Sequence, residues 1–481
     1  VEGILKSSRT SRNVSRALIS VGIVFFLFTL VFSYENTVFF VGSHIRTILL
    51  VIAAMLLSIA VAHALTKWLT RTQFLLVLLL VGIGLRMAWV LYIQTPPISD
   101  FLDMRNAGVA AVNGDYSIAQ NDYFSRWVYL LGFSMYEGFI HKLFGDSLLI
   151  LKIFNVLFNV GTAVVVYFAA SRVFNEFCGR IAALFYALYV PHIIMCSVLT
   201  NQHLSTFLFS CAFLLALRGG FSEKYTWIWI GLLLALGNMM RPLGVFFLIG
   251  VIMYALICKL WPTASGQRMP ILTRLAGIIA IYFIVMQIIS YSFLWSGVTK
   301  HSFKSQEPYW KPMVGMNPQT TGGWSQEDTD YVMQYPLGKE RNEASLKLLK
   351  ERLQDKGQVM DLLAKKFKLM WGAEDSAPFW SLWEQNKPEM HSLLVKTERI
   401  MYTAMIVFSL LAFIVLLMRN DYQHHFLFLL LLLGYALVHI VFEIQTRYRF
   451  DILPGMIILQ SFGIYSQVLS IDKKQPSAIE A

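Results

Sequence analysis

Acids and bases able to move a proton and hold an anion stand at the edges of apolar runs in this chain. Asp100 and Asp103 are at i and i+3 in SDFLDMRNAGVAAVNG, so both can share one helix face. A carboxylate there can take a proton from a hydroxyl, or it can cap a helix start behind Ser99. Arg105, two residues beyond Asp103, can neutralise either acid. Lys152 forms a polar stripe with Asn155 and Asn159 on an otherwise apolar helix; it either binds an anion or snorkels outward, while the asparagines read as interhelical donors. Arg241-Pro242 in GNMMRP breaks two apolar runs, where the arginine meets an anion or caps a helix end. EIQTRYRFDILP is richer. Glu443–Arg447 and Arg447–Asp451 are both i,i+4 and can form a ladder of ion pairs. Two arginines, Arg447 and Arg449, beside Tyr448 exceed what one ladder needs, and the guanidinium fork suits phosphate oxygens.

Metal and redox chemistry finds little to work with. His192, His203, His301 and His439 are scattered, none pairs at ligand spacing, and they read as structural. Two carboxylates do not make a cation site, so a divalent ion has no support in ligand spacing and no cofactor is expected. Cys178, Cys196, Cys211 and Cys258 fall in or beside apolar segments and outline neither a disulfide framework nor a zinc site. No glycine loop for a nucleotide and no internal repeat is present.

The elements that must position these groups are membrane helices. Of 481 residues 56% are hydrophobic and only 14% charged, with a mean hydropathy of +0.57. Soluble domains carry about 25% charged residues, so a globular soluble fold, disorder and a disulfide-rich scaffold are excluded. The expectation is an all-α polytopic membrane protein with twelve spans, near 18–33, 45–65, 74–94, 147–170, 180–198, 203–217, 227–240, 243–260, 271–294, 399–418, 425–442 and 453–470. The run from Ala17 lacks a small-residue cleavage site and reads as a retained helix. With both termini cytoplasmic, Lys6, Arg9, Arg12, Arg16, Lys67, Arg71, Arg172, Arg180, Arg218, Lys224, Lys259, Arg268, Arg274, Arg419, Lys473 and Lys474 all fall inside. The net charge of +11 is then a topology signal in a multi-pass plasma-membrane protein, and nucleic acid is not needed as a partner. Two external segments remain, 95–146 and 296–398. They divide the chain into a bundle over 1–295, an external domain over 296–398 and terminal helices over 399–481. The first segment repeats Phe101, Met104, Ala107, Gly108 and Ala111 at helical spacing, which predicts an amphipathic helix on the membrane surface.

SDFLDMRNAGVAAVNGDY, DYFSRWVYLLGF, FGDSLLILKIFNVLFN, GLLLALGNMMRP and EIQTRYRFDILP, in this order, resemble the GT-C glycosyltransferase superfamily, with a looser echo in GMNPQTTGGWSQED. The nearest branch is its bacterial members similar to protein O-mannosyltransferases and aminoarabinose transferases. The resemblance implies a polyprenyl-phosphate-linked sugar donor and an extracytoplasmic glycan, lipid or protein acceptor. It also implies a catalytic base at Asp100, with Asp103 second, and carrier-phosphate contacts from Arg447 and Arg449, with Arg241 and Lys152 near. Tyr448, Glu443, Gln202 and His203 are further site candidates. The chain departs from the pattern in having two extra leading spans and Gln202 where relatives often carry Glu. Transfer from a lipid phosphate needs a base and cations for a leaving group whose charge grows in the transition state. A carboxylate gains basicity when partly desolvated. One base and one displacement imply inversion. The alternatives are a transporter or scramblase of lipid-linked sugars, and a polysaccharide polymerase or ligase.

Overall fold

The structure is a computed structural model and describes residues 9–419 and 425–472; Lys6, Lys473 and Lys474 lie outside them. All twelve expected runs are helical. α1 (Arg9–Val41), α2 (His44–Trp68) and α3 (Arg71–Tyr92) come first. A capping box of Thr70 and Gln73 starts α3. α4 (Asp100–Val112) and α5 (Leu131–Phe144) follow in the first long segment, then α6 (Leu148–Val173), α7 (Glu176–Leu188), α8 (Gln202–Arg218), α9 (Thr226–Met240), α10 (Gly244–Tyr254) and α11 (Arg268–Trp295). After the second long segment come α12 (Pro388–Arg419), α13 (Phe426–Val441) and α14 (Leu453–Asp472). Among the described residues six helices are long and apolar enough to cross a membrane, or seven when α7 and the bent Val190–Ser197 stretch count as one. Pro191 opens that stretch, where the missing N–H cannot continue the helix, and the axis turns by 58°. Among the described residues there is no strand, and a lone bridge joins Trp127 to Ser305.

Several polar groups inside the bundle satisfy one another. Arg86 of α3 is fully buried; its Nε donates to Asn159 at 2.8 Å and its fork to the Ala187 carbonyl at 3.0 Å. That caps α7 where the chain bends. Asn155 donates to the Val198 carbonyl at 2.9 Å, so both asparagines do bond across helices. Lys152 does not snorkel: it is buried, and its amine donates to the Thr95 carbonyl at 2.8 Å, holding the turn that leads to Asp100.

α4 forms where the spacing placed it, with Phe101, Met104, Ala107 and Gly108 buried. It crosses α5 at backbone contact: a Cβ on Gly108 would lie 2.3 Å from the Ser134 carbonyl oxygen. Arg105 turns to Asp146 rather than to Asp100 or Asp103. The second long segment holds helices Trp310–Gly315, Gln326–Met333, Lys339–Arg352, Lys356–Phe367 and Ala377–Ser381. Buried Lys366 ties it to the end of α13 by donating to the carbonyls of Gly315, Ile440 and Phe442 at 2.6, 2.8 and 2.9 Å.

Candidate functional site

Asp100 opens α4 as a half-buried carboxylate. It is not a side-chain cap: Ser99 precedes it with φ +50° and makes no capping bond. Instead Asp100 Oδ1 accepts from Tyr123 Oη at 2.8 Å. Burial and the Asp100 charge push the Tyr123 phenol up, so it stays a donor. Asp103 is exposed, and desolvation together with Asp100 raises its carboxyl. Burial pushes the Tyr129 phenol up to about 12, with Lys311 opposing and Tyr448, Glu443 and Asp100 adding. One phenol thus feels charges from the first loop, the second loop and the last loop.

Residues Thr446–Asp451 form a 3₁₀ turn rather than an α-helix. With three residues per turn, i and i+4 no longer align, and the local ladder does not form. Glu443 pairs with Lys311, and Asp451 pairs with Arg241 at 3.0 Å. Burial opposes the Glu443 charge, but Lys311, Gln445 and Arg447 hold its carboxyl below the ordinary range. Arg241 ends α9, reaches Asn201 at 3.1 Å and lies over the Tyr448 ring. Gln202 donates to the Arg447 carbonyl at 3.0 Å and to Asp451 at 3.4 Å, so the position where an acid was looked for supplies an amide donor to an acid. Arg449 is fully buried, donates to the Ala373 carbonyl at 2.9 Å and pairs with Asp375 at 3.6 Å. It clamps the loop from beneath. His203 is also buried, between Asn159 and the Met195 carbonyl.

Arg447 differs from its neighbours. Its Nε donates to Gln445 at 2.7 Å, and among the described residues no carboxylate is in ion-pair contact with it, Glu443 acting on it only from a distance. Its guanidinium lies 4.7 Å from the Trp380 ring and 5.1 Å from the ring of Phe101, the residue that follows Asp100. Asp100, Arg447, Tyr448, Arg241, Glu443 and Gln202 are therefore gathered by direct contacts or shared neighbours, while Arg449, Lys152 and His203 support them from the interior. Sequence reasoning missed Lys311, Tyr123, Tyr129 and Trp380. Only the DYFSRWVYLLGF resemblance pointed near the two tyrosines. Gly315 explains the fit of the second segment: a Cβ there would lie 2.2 Å from the Val441 carbonyl oxygen, and Glu443 and Ile444 donate backbone bonds to Lys311 and Gly322. Among the described residues no three His, Cys, Asp or Glu side chains converge as metal ligands would.

Residues 133–309 match the family model described as dolichyl-phosphate-mannose-protein mannosyltransferase. No curated protein matches by sequence. Among solved structures the fold is similar to the archaeal oligosaccharyltransferase AglB from Archaeoglobus fulgidus, in complex with an inhibitory peptide and a dolichol-phosphate. That alignment has 12% identity and a TM-score of 0.50, covering 85% of this chain and 51% of that one. This chain thus spans about half the length of that protein. ArnT from Cupriavidus metallidurans, bound to undecaprenyl phosphate, aligns over 85% of this chain and 82% of its own at 13% identity and a TM-score of 0.34, too low to argue from. The family match and the shared fold bear out the resemblance to GT-C glycosyltransferases and the all-α polytopic membrane architecture.

Proposed function

We propose that this chain is a membrane glycosyltransferase that moves a sugar from a polyprenyl-phosphate carrier to a hydroxyl of an extracytoplasmic glycan, lipid or protein, with inversion. The observation that carries the reading is Arg447, a buried guanidinium with no carboxylate in ion-pair contact among the described residues, held over the Trp380 ring and the ring of Phe101, the residue that follows Asp100. Arg241, Lys311 and Arg449 are each matched by an acid, whereas among the described residues no carboxylate is in ion-pair contact with Arg447, whose fork then suits a phosphate. The mannosyltransferase family model over 133–309, and the dolichol-phosphate held by the archaeal enzyme of similar fold, support the carrier.

The acceptor oxygen attacks the sugar's anomeric carbon as Asp100 takes the hydroxyl proton. The bond from that carbon to the phosphate oxygen breaks, and its electron pair leaves with polyprenyl phosphate. Arg447 meets the charge that grows there. Asp100 then returns its proton to water. The excess of Lys and Arg in the alternate loops supports cytoplasmic termini, with the site on the opposite face.

The test is to give the purified protein a panel of polyprenyl-phosphate sugars and score free polyprenyl phosphate, with Asp100→Asn and Asp103→Asn beside it. General-base loss predicts a drop of roughly 10²–10⁴-fold in single-turnover rate for Asp100→Asn with carrier binding retained, and a much smaller drop for Asp103→Asn. Transport of the lipid with no release from any donor points to a transporter. Near-native turnover in Asp100→Asn ends the base assignment, and a larger loss in Asp103→Asn moves it one helical turn.

A further inference from the structure

We propose that Tyr123 is a positioning residue, whose phenol fixes one oxygen of the Asp100 carboxylate and leaves the other to take the acceptor proton. The inference rests on the reading of Asp100 as the base. Tyr123 Oη donates to Asp100 Oδ1 at 2.8 Å, and among the described residues Oδ2 accepts no hydrogen bond. A carboxylate turning freely about its last bond presents either oxygen in many directions. One charge-assisted bond removes that freedom and aims the remaining lone pairs.

The phenol is itself held in place. Tyr123 belongs to the short helix Asp122–Arg126, capped by Asn121, whose side chain accepts from the Phe124 N–H at 2.9 Å. Arg126 is buried between Trp127 and Trp310 and pairs with fully buried Glu307 at 2.9 Å. Arg341 joins Glu307 at 3.1 Å to Asp122 at 3.3 Å, and the Gln306 N–H donates to the Arg126 carbonyl at 3.0 Å. Both ends of the helix that carries Tyr123 are thus fastened by the segment over 296–398. The second long segment thereby sets the aim of the base through Arg126 and Asp122. Charges buried this deeply hold one geometry only when every partner is present.

The experiment is a double-mutant cycle on the full-length protein in a lipid bilayer, using the polyprenyl-phosphate sugar that the native protein turns over. Four proteins are compared: native, Tyr123→Phe, Asp100→Asn and the double variant. Tyr123→Phe removes one oxygen and keeps the ring, and should lower single-turnover rate by roughly 10-fold, the loss expected for one hydrogen bond to a charged group, while carrier KM stays unchanged. In the Asp100→Asn background the same substitution should change the rate by less than about twofold, because nothing is left to aim. A merely structural tyrosine would cost the same factor in both backgrounds, and that result overturns the proposal. So does a native rate in Tyr123→Phe, or a raised carrier KM with kcat intact. If Asp100→Asn itself turns over normally, the base assignment falls first and takes this inference with it. If Asp100→Asn is crippled and Tyr123→Phe is not, only the role of Tyr123 is lost.

Discussion

Restoring the acid that related sequences often carry, by Gln202→Glu, should harm this protein. Gln202 Nε2 lies 3.4 Å from Asp451 Oδ2 and 3.0 Å from the Arg447 carbonyl oxygen. Asp451 is buried, and that burial already pushes its carboxyl up against the pull of Arg241. Two unit charges at that separation repel by about 5 kcal/mol at an effective dielectric constant near 20. The pair can instead share a proton. Holding one on a glutamate of reference pKa near 4.3 costs about 4 kcal/mol at about pH 7.5 and about 1 kcal/mol at about pH 5. Arg241, 3.0 Å from Asp451, offsets part of either cost. The bond to the Arg447 carbonyl adds about 1 kcal/mol when lost. The net expectation is a destabilisation of about 2–4 kcal/mol near pH 7.5 that shrinks to about 1 kcal/mol near pH 5. The sign follows from proton counting: the folded variant holds a proton that the unfolded chain has released, so its stability falls as pH rises above about 4.3. Unfolding midpoints of native and variant protein, taken in one detergent at both pH values, measure this. A variant as stable as native near pH 7.5, or a deficit that does not shrink in acid, refutes the reasoning.

Arg447→Lys keeps the charge and loses the planar fork, while Arg447→Ala loses both; carrier binding should weaken in that order in a protein that remains folded. Glu443→Gln should leave carrier binding closer to native, since Glu443 is paired with Lys311, and equal losses in all three variants would return Arg447 to a structural role. Lys366→Met strands the carbonyls of Gly315, Ile440 and Phe442 and should cost about 2–3 kcal/mol in unfolding. Burial draws the Lys366 amine down from 10.5 to about 7. Between those values the folded protein binds fewer protons than the unfolded chain, so this group's contribution rises with pH there. Lys366→Met should flatten that slope, which a stability–pH profile reads directly.

The membrane helices were legible because a run of apolar residues has one stable form in a bilayer. α4 was legible for a related reason: Phe101, Met104, Ala107 and Gly108 recur at the helical period and all became buried. The charged pairs were not. Spacing suggested Arg447 with Glu443 and Asp451, and it assumed an α-helix where the chain makes a 3₁₀ turn. The partners that formed, Lys311 with Glu443 and Arg241 with Asp451, lie far apart in sequence, and a lysine in a long connecting segment carries no mark of its mate. Arg449 looked like a second phosphate ligand because composition cannot tell which way a side chain turns; it turns inward to Ala373 and Asp375. Asn159 read correctly as an interhelical donor or acceptor, yet its partner Arg86 drew no notice inside an apolar run.

The ion pairs also impose a schedule on synthesis. A ribosome delivers Asp100 and Arg126 long before Glu307, and Arg241 and Lys311 long before Glu443 and Asp451. Until those last acids arrive, two cations destined for the candidate site have no counter-ion, and an uncompensated charge in a dry site costs several kcal/mol. A nascent chain stopped at the end of α13 would leave Arg241 and Lys311 seeking water or anionic headgroups, with the turn that carries Arg447 missing. Insertion into the bilayer can proceed helix by helix, but maturation of the site waits for the final hairpin. Loss of the chain beyond α13 would then be felt first as misassembly of a surface built near residue 100, far from the break.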